Sequence, residues 1–410
     1  MEFFNNNVWE IKKSNSLKFL GGTLALFHLA QFYFWFQEGM APLKYAQESI
    51  PLCRSIFETC QWIRIFPYGV LEGLFYLYAV LALVSALAFL LTSFTGLGFW
   101  TLLFSWVCGG LLYFQDLRLS TNENFLILFL TITFLLVPSK SRYARWIVVS
   151  FIAASGLAKM SPDWLTGVWF VQHINVPIKL GEWLAAVCLV VELIASAALL
   201  LRDGRFFVTG WISLLAMQAL MIFVGELFAP IINIALLVFI ALQELEIRKV
   251  EREYIYQSFI RPEPSFIVGG SLLVIFWIAQ LLPFANIDQR SAVGSTFDLF
   301  ALHPLAAHEE CSQKTYAVYN RQTEQIKLDL DTARVATMKC NVYLRYLDLK
   351  AVCQKLKETR PDFVTISSIL EIKSLRTQEV RRAFEVKDFC QSDLTFKKLS
   401  DQKWNSEKVN

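Results

Sequence analysis

Residues 181–200 read GEWLAAVCLVVELIASAALL, with one carboxylate at the start of the run, Glu182, and a second in its interior, Glu192. The hydrocarbon core of a bilayer, roughly 30 Å thick, takes about 20 mostly apolar residues to cross as a helix. This stretch has that length and character, and it decides the fold class. Runs of the same kind begin near Leu17, Tyr68, Gly96, Asn124, Ala144, Phe206, Phe228 and Ser265, which with Gly181 makes nine. The seventh and eighth are separated only by Gly225-Glu226-Leu227. The first run lacks a small-residue cleavage site, so it reads as a retained helix and not as a signal peptide.

The composition agrees. Hydrophobic residues make up 55% of the chain and charged ones 18%, against roughly 45–50% and 25% in an average soluble domain. That excludes a disordered chain. A net charge of +3 is too small to argue for nucleic acid or another polyanion as partner. The charge is also unevenly placed, with 36 of the 73 Asp, Glu, Lys and Arg in residues 1–285 and 37 in the last 125. The expected architecture is a mainly α membrane protein with about nine transmembrane helices over 1–285. A small extracytoplasmic α+β domain over 286–396 follows, and a polar, frayed tail over 397–410.

Orientation follows from Lys and Arg in short loops. With the N-terminus cytoplasmic, the inner segments hold Lys12, Lys13, Lys18, Lys140, Arg142, Arg145, Arg202, Arg205, Arg248, Lys249, Arg252 and Arg261. The outer ones hold Lys44, Arg54, Arg64, Arg118, Lys159 and Lys179. The two-to-one bias favours this orientation, and an odd number of spans puts the C-terminal domain outside. Cys108 and Cys188 fall in spans and read as small core residues. Cys53, Cys60, Cys311, Cys340, Cys353 and Cys390 fall in the first outer loop or the tail, an even number on the oxidising side, as disulfides require. No CxxC pair occurs and the chain has four His, so no metal site is expected.

In the tail, apolar alternation on both sides of Asn320-Arg321-Gln322 predicts a hairpin between Lys314 and Leu330. Val342 to Leu356 has helical spacing, stopped at Arg360-Pro361-Asp362. Phe363 to Ile372 reads as another strand.

Charged groups inside spans cost several kcal/mol and mark function or a need for a partner. Glu192 is the clearest, and its plain reading is a structural carboxyl, protonated or paired with a cation from another span. Glu72 lies near enough to the start of its span to reach the interface. Lys159 ends the fifth run, where Pro162 should stop the helix within about one turn of the outer boundary. Its ammonium can snorkel to headgroups, or it can be held in an apolar pocket where desolvation yields a neutral amine, a general base. His28 reads as a packed, hydrogen-bonded histidine.

The segment Gly156-Leu157-Ala158-Lys159-Met160-Ser161-Pro162-Asp163-Trp164 resembles the Ala-Gly-x-x-Lys-Leu-x-x-Asp-Trp segment of vitamin K-dependent γ-glutamyl carboxylases. It is similar also to the horizontally transferred transmembrane domain (HTTM) family, their bacterial relatives. Tyr113-Phe114-x-Asp116 with Asn122, the apolar run Phe125 to Pro138, Leu52-Cys53-Arg54, Phe297-Asp298-Leu299-Phe300 and Ala351-Val352-Cys353-Gln354 resemble family segments in the same order. The likeness spans most of residues 15–390.

The resemblance implies that Lys159 is the base that deprotonates a reduced quinone, a vitamin K hydroquinone-like cofactor, for modification of a secreted protein or peptide at a glutamate. It implies Asn122, with Glu123 beside it, in the active-site loop and Asp116, Asp163 and Trp164 about the substrate or quinol pocket, to which the mid-span Glu192 is added as a candidate. It also implies a Cys53–Cys353 disulfide joining the first outer loop to the tail, worth about 2–4 kcal/mol. The chain departs from the carboxylases in three respects. Glu123 stands where a histidine follows the asparagine, Met217-Gln218 replaces a Phe-His pair, and most of the lumenal substrate-binding portion is lacking. A carboxylate is a weak proton donor with the wrong charge beside an oxyanion. The alternatives are a non-enzymatic maturation or scaffold protein, as in sporulation-delaying toxin systems of the HTTM type, and, more weakly, a transporter, for which no internal repeat is found. For a bacterial source, the expected location is the inner membrane.

Overall fold

The computed structural model describes residues 2–37, 68–115, 122–137, 140–160, 162–201, 204–224, 228–249, 264–285, 309–328, 342–374 and 379–391. Asp116, Cys53, Cys60, Cys340 and the 397–410 tail lie outside these. An N-terminal helix α1 (Glu2–Lys13) is followed by α2 (Asn15–Gln37), α3 (Tyr68–Leu90), α4 (Thr95–Gln115), α5 (Asn122–Leu136) and α6 (Lys140–Ala158). Two short helices, α7 (Pro162–Leu165) and α8 (Val168–Ile174), lead to α9 (Ile178–Ala198), α10 (Gly204–Phe223), α11 (Phe228–Lys249) and α12 (Pro264–Ala285). Each apolar run read from the sequence is therefore a helix. Six helices are long and apolar enough to cross a membrane, and shorter apolar segments lie at Asn124–Leu136, Tyr143–Leu157 and Gly269–Ile278. Exposed Leu83, Leu87, Phe104, Ile194 and Ile212 give the bundle an outer surface suited to lipid.

Polar contacts at one end of the bundle fix which helix ends lie together. The Glu246 carboxylate, near the end of α11, accepts hydrogen bonds from the Ser14 and Ser16 hydroxyls, both at 2.7 Å, and from the Asn15 and Ser16 backbone N–H groups at 2.7 and 3.0 Å. A carboxylate at a helix N-terminus satisfies orphan donors and meets the positive end of the dipole. Arg145, early in α6, donates to Glu244 of α11 at 2.8 Å and to the Leu199 carbonyl just past α9. Lys140 Nζ donates to Asn7 Oδ1 at 2.6 Å and to the Val137 carbonyl at 2.7 Å. The starts of α2 and α6 thus share an end with the finishes of α5, α9 and α11. Trp211 and Leu237, bonded at 2.9 Å, join α10 to α11.

Midway along the bundle His28 is fully buried. Its Nδ1 lies 2.8 Å from the Tyr78 hydroxyl and its Nε2 3.0 Å from Thr131 Oγ1. One imidazole joins α2, α3 and α5, the packed and hydrogen-bonded role expected for it.

The tail elements are β1 (Glu309–Tyr319), β2 (Thr323–Ile326), α13 (Val342–Thr359), β3 (Phe363–Ser374) and β4 (Val380–Val386). They form an antiparallel sheet of order β2-β1-β3-β4. The expected hairpin pairs Thr315 with Ile326 through Val318 with Thr323, closed by a 2.8 Å bond from Tyr319 N–H to the Gln322 carbonyl. Ile366, Leu370, Ile372, Phe384 and Val386 from the sheet pack with Tyr346, Leu349 and Cys353 of α13. Each such side chain, once fully buried, stabilises a domain by about 1.5–3 kcal/mol. Cys353 is bonded to Cys390, with Cα atoms 5.6 Å apart, and not to Cys53. The correction has a simple cause: the end of β4 brings Cys390 back to the face of α13 that carries Cys353. The covalent tie is within the tail, and Cys311 is also disulfide-bonded.

Candidate functional site: an ion pair at a broken helix

The α6 helix ends early. Its apolar segment, Tyr143–Leu157, covers about 22 Å at 1.5 Å per residue, short of a bilayer core. The Lys159 and Met160 N–H groups close tight bonds to the Gly156 and Leu157 carbonyls, at 3.0 and 2.9 Å, and Pro162 then opens α7. The chain continues along α9. The Trp164 indole N–H donates to the Ala185 carbonyl at 3.0 Å, and Gly167 lies against Gly181, nearer the start of α9. Gly167 has φ +64°, and a Cβ there would lie 2.1 Å from the Gly181 carbonyl carbon. Only glycine fits that position, by conformation and by space. Gly167 also starts α8, its carbonyl accepting from Phe170 N–H at 3.0 Å. At the far end Asn175, with φ 52°, caps α8.

Lys159 therefore sits at a break with further helix, α7 and α8, beyond it. Its Nζ donates to Glu192 Oε2. Glu192 lies fourteen residues beyond the start of α9 at Ile178, about 21 Å along that helix. The side chain is thus directed to a carboxylate of α9. The lysine side chain is 12% exposed and the glutamate 0%. Gly156 permits this approach, since a Cβ there would meet Leu193 Cδ2 at 3.0 Å and Glu192 Cγ at 3.4 Å.

The surroundings are aromatic. Lys159 Nζ lies 5.5 Å from the Trp164 ring centroid, within cation–π range. Trp164 stacks on Trp169 at 5.8 Å and meets Phe170 edge-on at 5.6 Å, while Trp169 stacks on His173 at 4.5 Å. Cys188, a buried free thiol, lies one turn before Glu192 on α9. Glu192 Oε1 is buried with no hydrogen-bond partner among the described residues. An orphan acceptor of this kind costs about 1–3 kcal/mol or more, so the site holds unused capacity to accept a hydrogen bond or a proton. The free acceptor belongs to the glutamate, because the lysine is already engaged as a donor.

Of the residues singled out from sequence, Lys159, Trp164 and Glu192 come together. Asp163 lies in α7 and its side chain is outside the described set. Asn122 and Glu123 form the first turn of α5, at the end of the bundle opposite Glu246, and their side chains are likewise outside it. Gln218 accepts from Asn233 at 3.3 Å and so joins α10 to α11. Sequence reasoning did not reach the break, although Pro162, Gly167 and the Asn175-Val176-Pro177 corner were its signals. Among the described residues no cluster of three or more His, Cys, Asp and Glu could hold a metal ion.

No protein-family model, curated protein or solved structure matches this chain. The functional reading rests on the geometry above and on the short motifs of the sequence.

Proposed function

We propose that this is an integral membrane enzyme of the carboxylase-like class, in which Lys159 and Glu192 handle protons for a reduced quinone during modification of a secreted protein or peptide. The observation that carries the reading is the buried Lys159–Glu192 pair with its unused Oε1, set beside the Trp164–Trp169 stack at a helix break. A hydroquinone fits this donor set, since its hydroxyl can donate to Glu192 Oε1 and its ring matches aromatic neighbours. When bound, such a group supplies the reducing chemistry. The protein's own residues then hold the hydroxyl, receive its proton at the pair and exclude water, which a strongly basic intermediate requires. The reading includes nine spans, with α6, α7 and α8 together forming the fifth. The N-terminus is cytoplasmic and the tail extracytoplasmic, as the lysine and arginine bias favours.

A second reading, a non-enzymatic maturation scaffold, is favoured by one fact: the pair satisfies Lys159 internally, as a structural staple would. A soluble hydroquinone separates the two. The enzyme reading expects it to raise the Tm of the purified protein but not of Lys159→Met/Glu192→Leu. Equal shifts in both proteins, or none in either, would leave only the scaffold.

A further inference from the structure

We infer that α1 and the start of α2 form a binding surface for the headgroups of anionic phospholipids, an inference that rests on the membrane reading alone. Helix α1 is fixed by one face. Asn7 and Ile11 are buried, with Asn7 donating to the Leu135 carbonyl at 3.4 Å and accepting from Lys140 at 2.6 Å. Phe4 packs on Trp100 of α4 at 5.3 Å. The opposite face carries Asn5, Asn6, Trp9, Lys12 and Lys13, all exposed. Trp9 is 60% exposed and Lys13 Nζ sits 3.5 Å from its ring centroid. An indole flanked by ammonium groups is the pairing that membrane–water interfaces favour.

The charge balance points to the partner. Two described acids at this end of the bundle are committed within the protein: Glu246 to Ser14, Asn15 and Ser16, and Glu244 to Arg145. Lys12 and Lys13 are exposed and in no ion pair seen among the described residues, and Lys18 stands half-exposed one turn into α2. A cationic face with an interfacial tryptophan, rigidly held at the end of the bundle, attracts the phosphates of an anionic leaflet.

The test uses the full chain in a neutral detergent, titrated with phosphatidylglycerol or with phosphatidylcholine while Tm is followed. Phosphatidylglycerol should raise Tm at a concentration about tenfold or more below that needed for phosphatidylcholine, and salt near 0.5 M should erase the difference. Lys12→Gln/Lys13→Gln should respond to both lipids alike while keeping the wild-type Tm in phosphatidylcholine. Lys12→Arg/Lys13→Arg should retain the preference. Equal response of the wild type to both lipids, full preference in the Gln variant, or a rise with inorganic phosphate alone would overturn the inference.

Discussion

Two buried polar groups in the helical body invite comparison. His28 is neutral chemistry closed on itself: each ring nitrogen has a hydroxyl partner, one on α3 and one on α5, and each helix runs unbroken past it. Lys159 and Glu192 form an ion pair where a helix is interrupted, and leave one carboxyl oxygen unmatched among the described residues. A satisfied network specifies packing. An unsatisfied charged pair keeps an interaction in reserve, and such reserves are characteristic of functional sites. The first region serves architecture, and the second is where we propose chemistry.

That contrast can be broken by substitution. The largest effect belongs to Lys159→Met, which leaves Glu192 buried without its cation. Breaking a buried pair this way costs about 3–5 kcal/mol, and Lys159→Met/Glu192→Leu should recover most of it in equilibrium unfolding. If the single variant is as stable as the double, the two residues do not depend on each other. Gly167→Ala comes next. Its methyl would collide with the Gly181 backbone at a positive φ, and an expected loss of about 2–4 kcal/mol should undock α7 and α8 and make Trp164 accessible to fluorescence quenchers. An unchanged Tm would show that the close approach is not needed. His28→Ala leaves the Tyr78 hydroxyl and Thr131 short of a partner and should cost about 1–3 kcal/mol with any hydroquinone response intact. Loss of that response with stability preserved would move His28 into the chemistry. Smallest is Tyr78→Phe, at about 0.6 kcal/mol, the mean of interhelical hydrogen bonds in a membrane. A loss of several kcal/mol there would mean that the imidazole network is worth more than its separate bonds.

Much of this architecture was legible in the residues. Length and apolarity alone located α2 to α6 and α9 to α12, because the length of an uninterrupted apolar run is local information. The hairpin about Asn320-Arg321-Gln322 and the α13 stop at Pro361 were local too. β4 was missed although Phe384 and Val386 flank Glu385 in the manner of a half-buried strand. The arginines in Val380-Arg381-Arg382 masked a period that the pairing with β3 reveals. The disulfide was misassigned because pairing is a matter of tertiary distance, and nothing near Cys353 in sequence names Cys390. The ion pair was half legible. Sequence identified both residues as costly inside a span, but Pro162 suggested a boundary where the fold has a break. That Lys159 meets Glu192 depends on Gly156 and Gly167 letting the chain lie close along α9, which only the packed structure displays.

The most direct test of the central claim is the coupling free energy between Lys159 and Glu192. It comes from unfolding of the wild type, Lys159→Met, Glu192→Gln and the double variant in the same mixed micelles. The account predicts coupling of at least about 2 kcal/mol, because either single change strands a buried polar group. Coupling within about 0.5 kcal/mol of zero would contradict it, and would leave Lys159 an independent residue with no site around it.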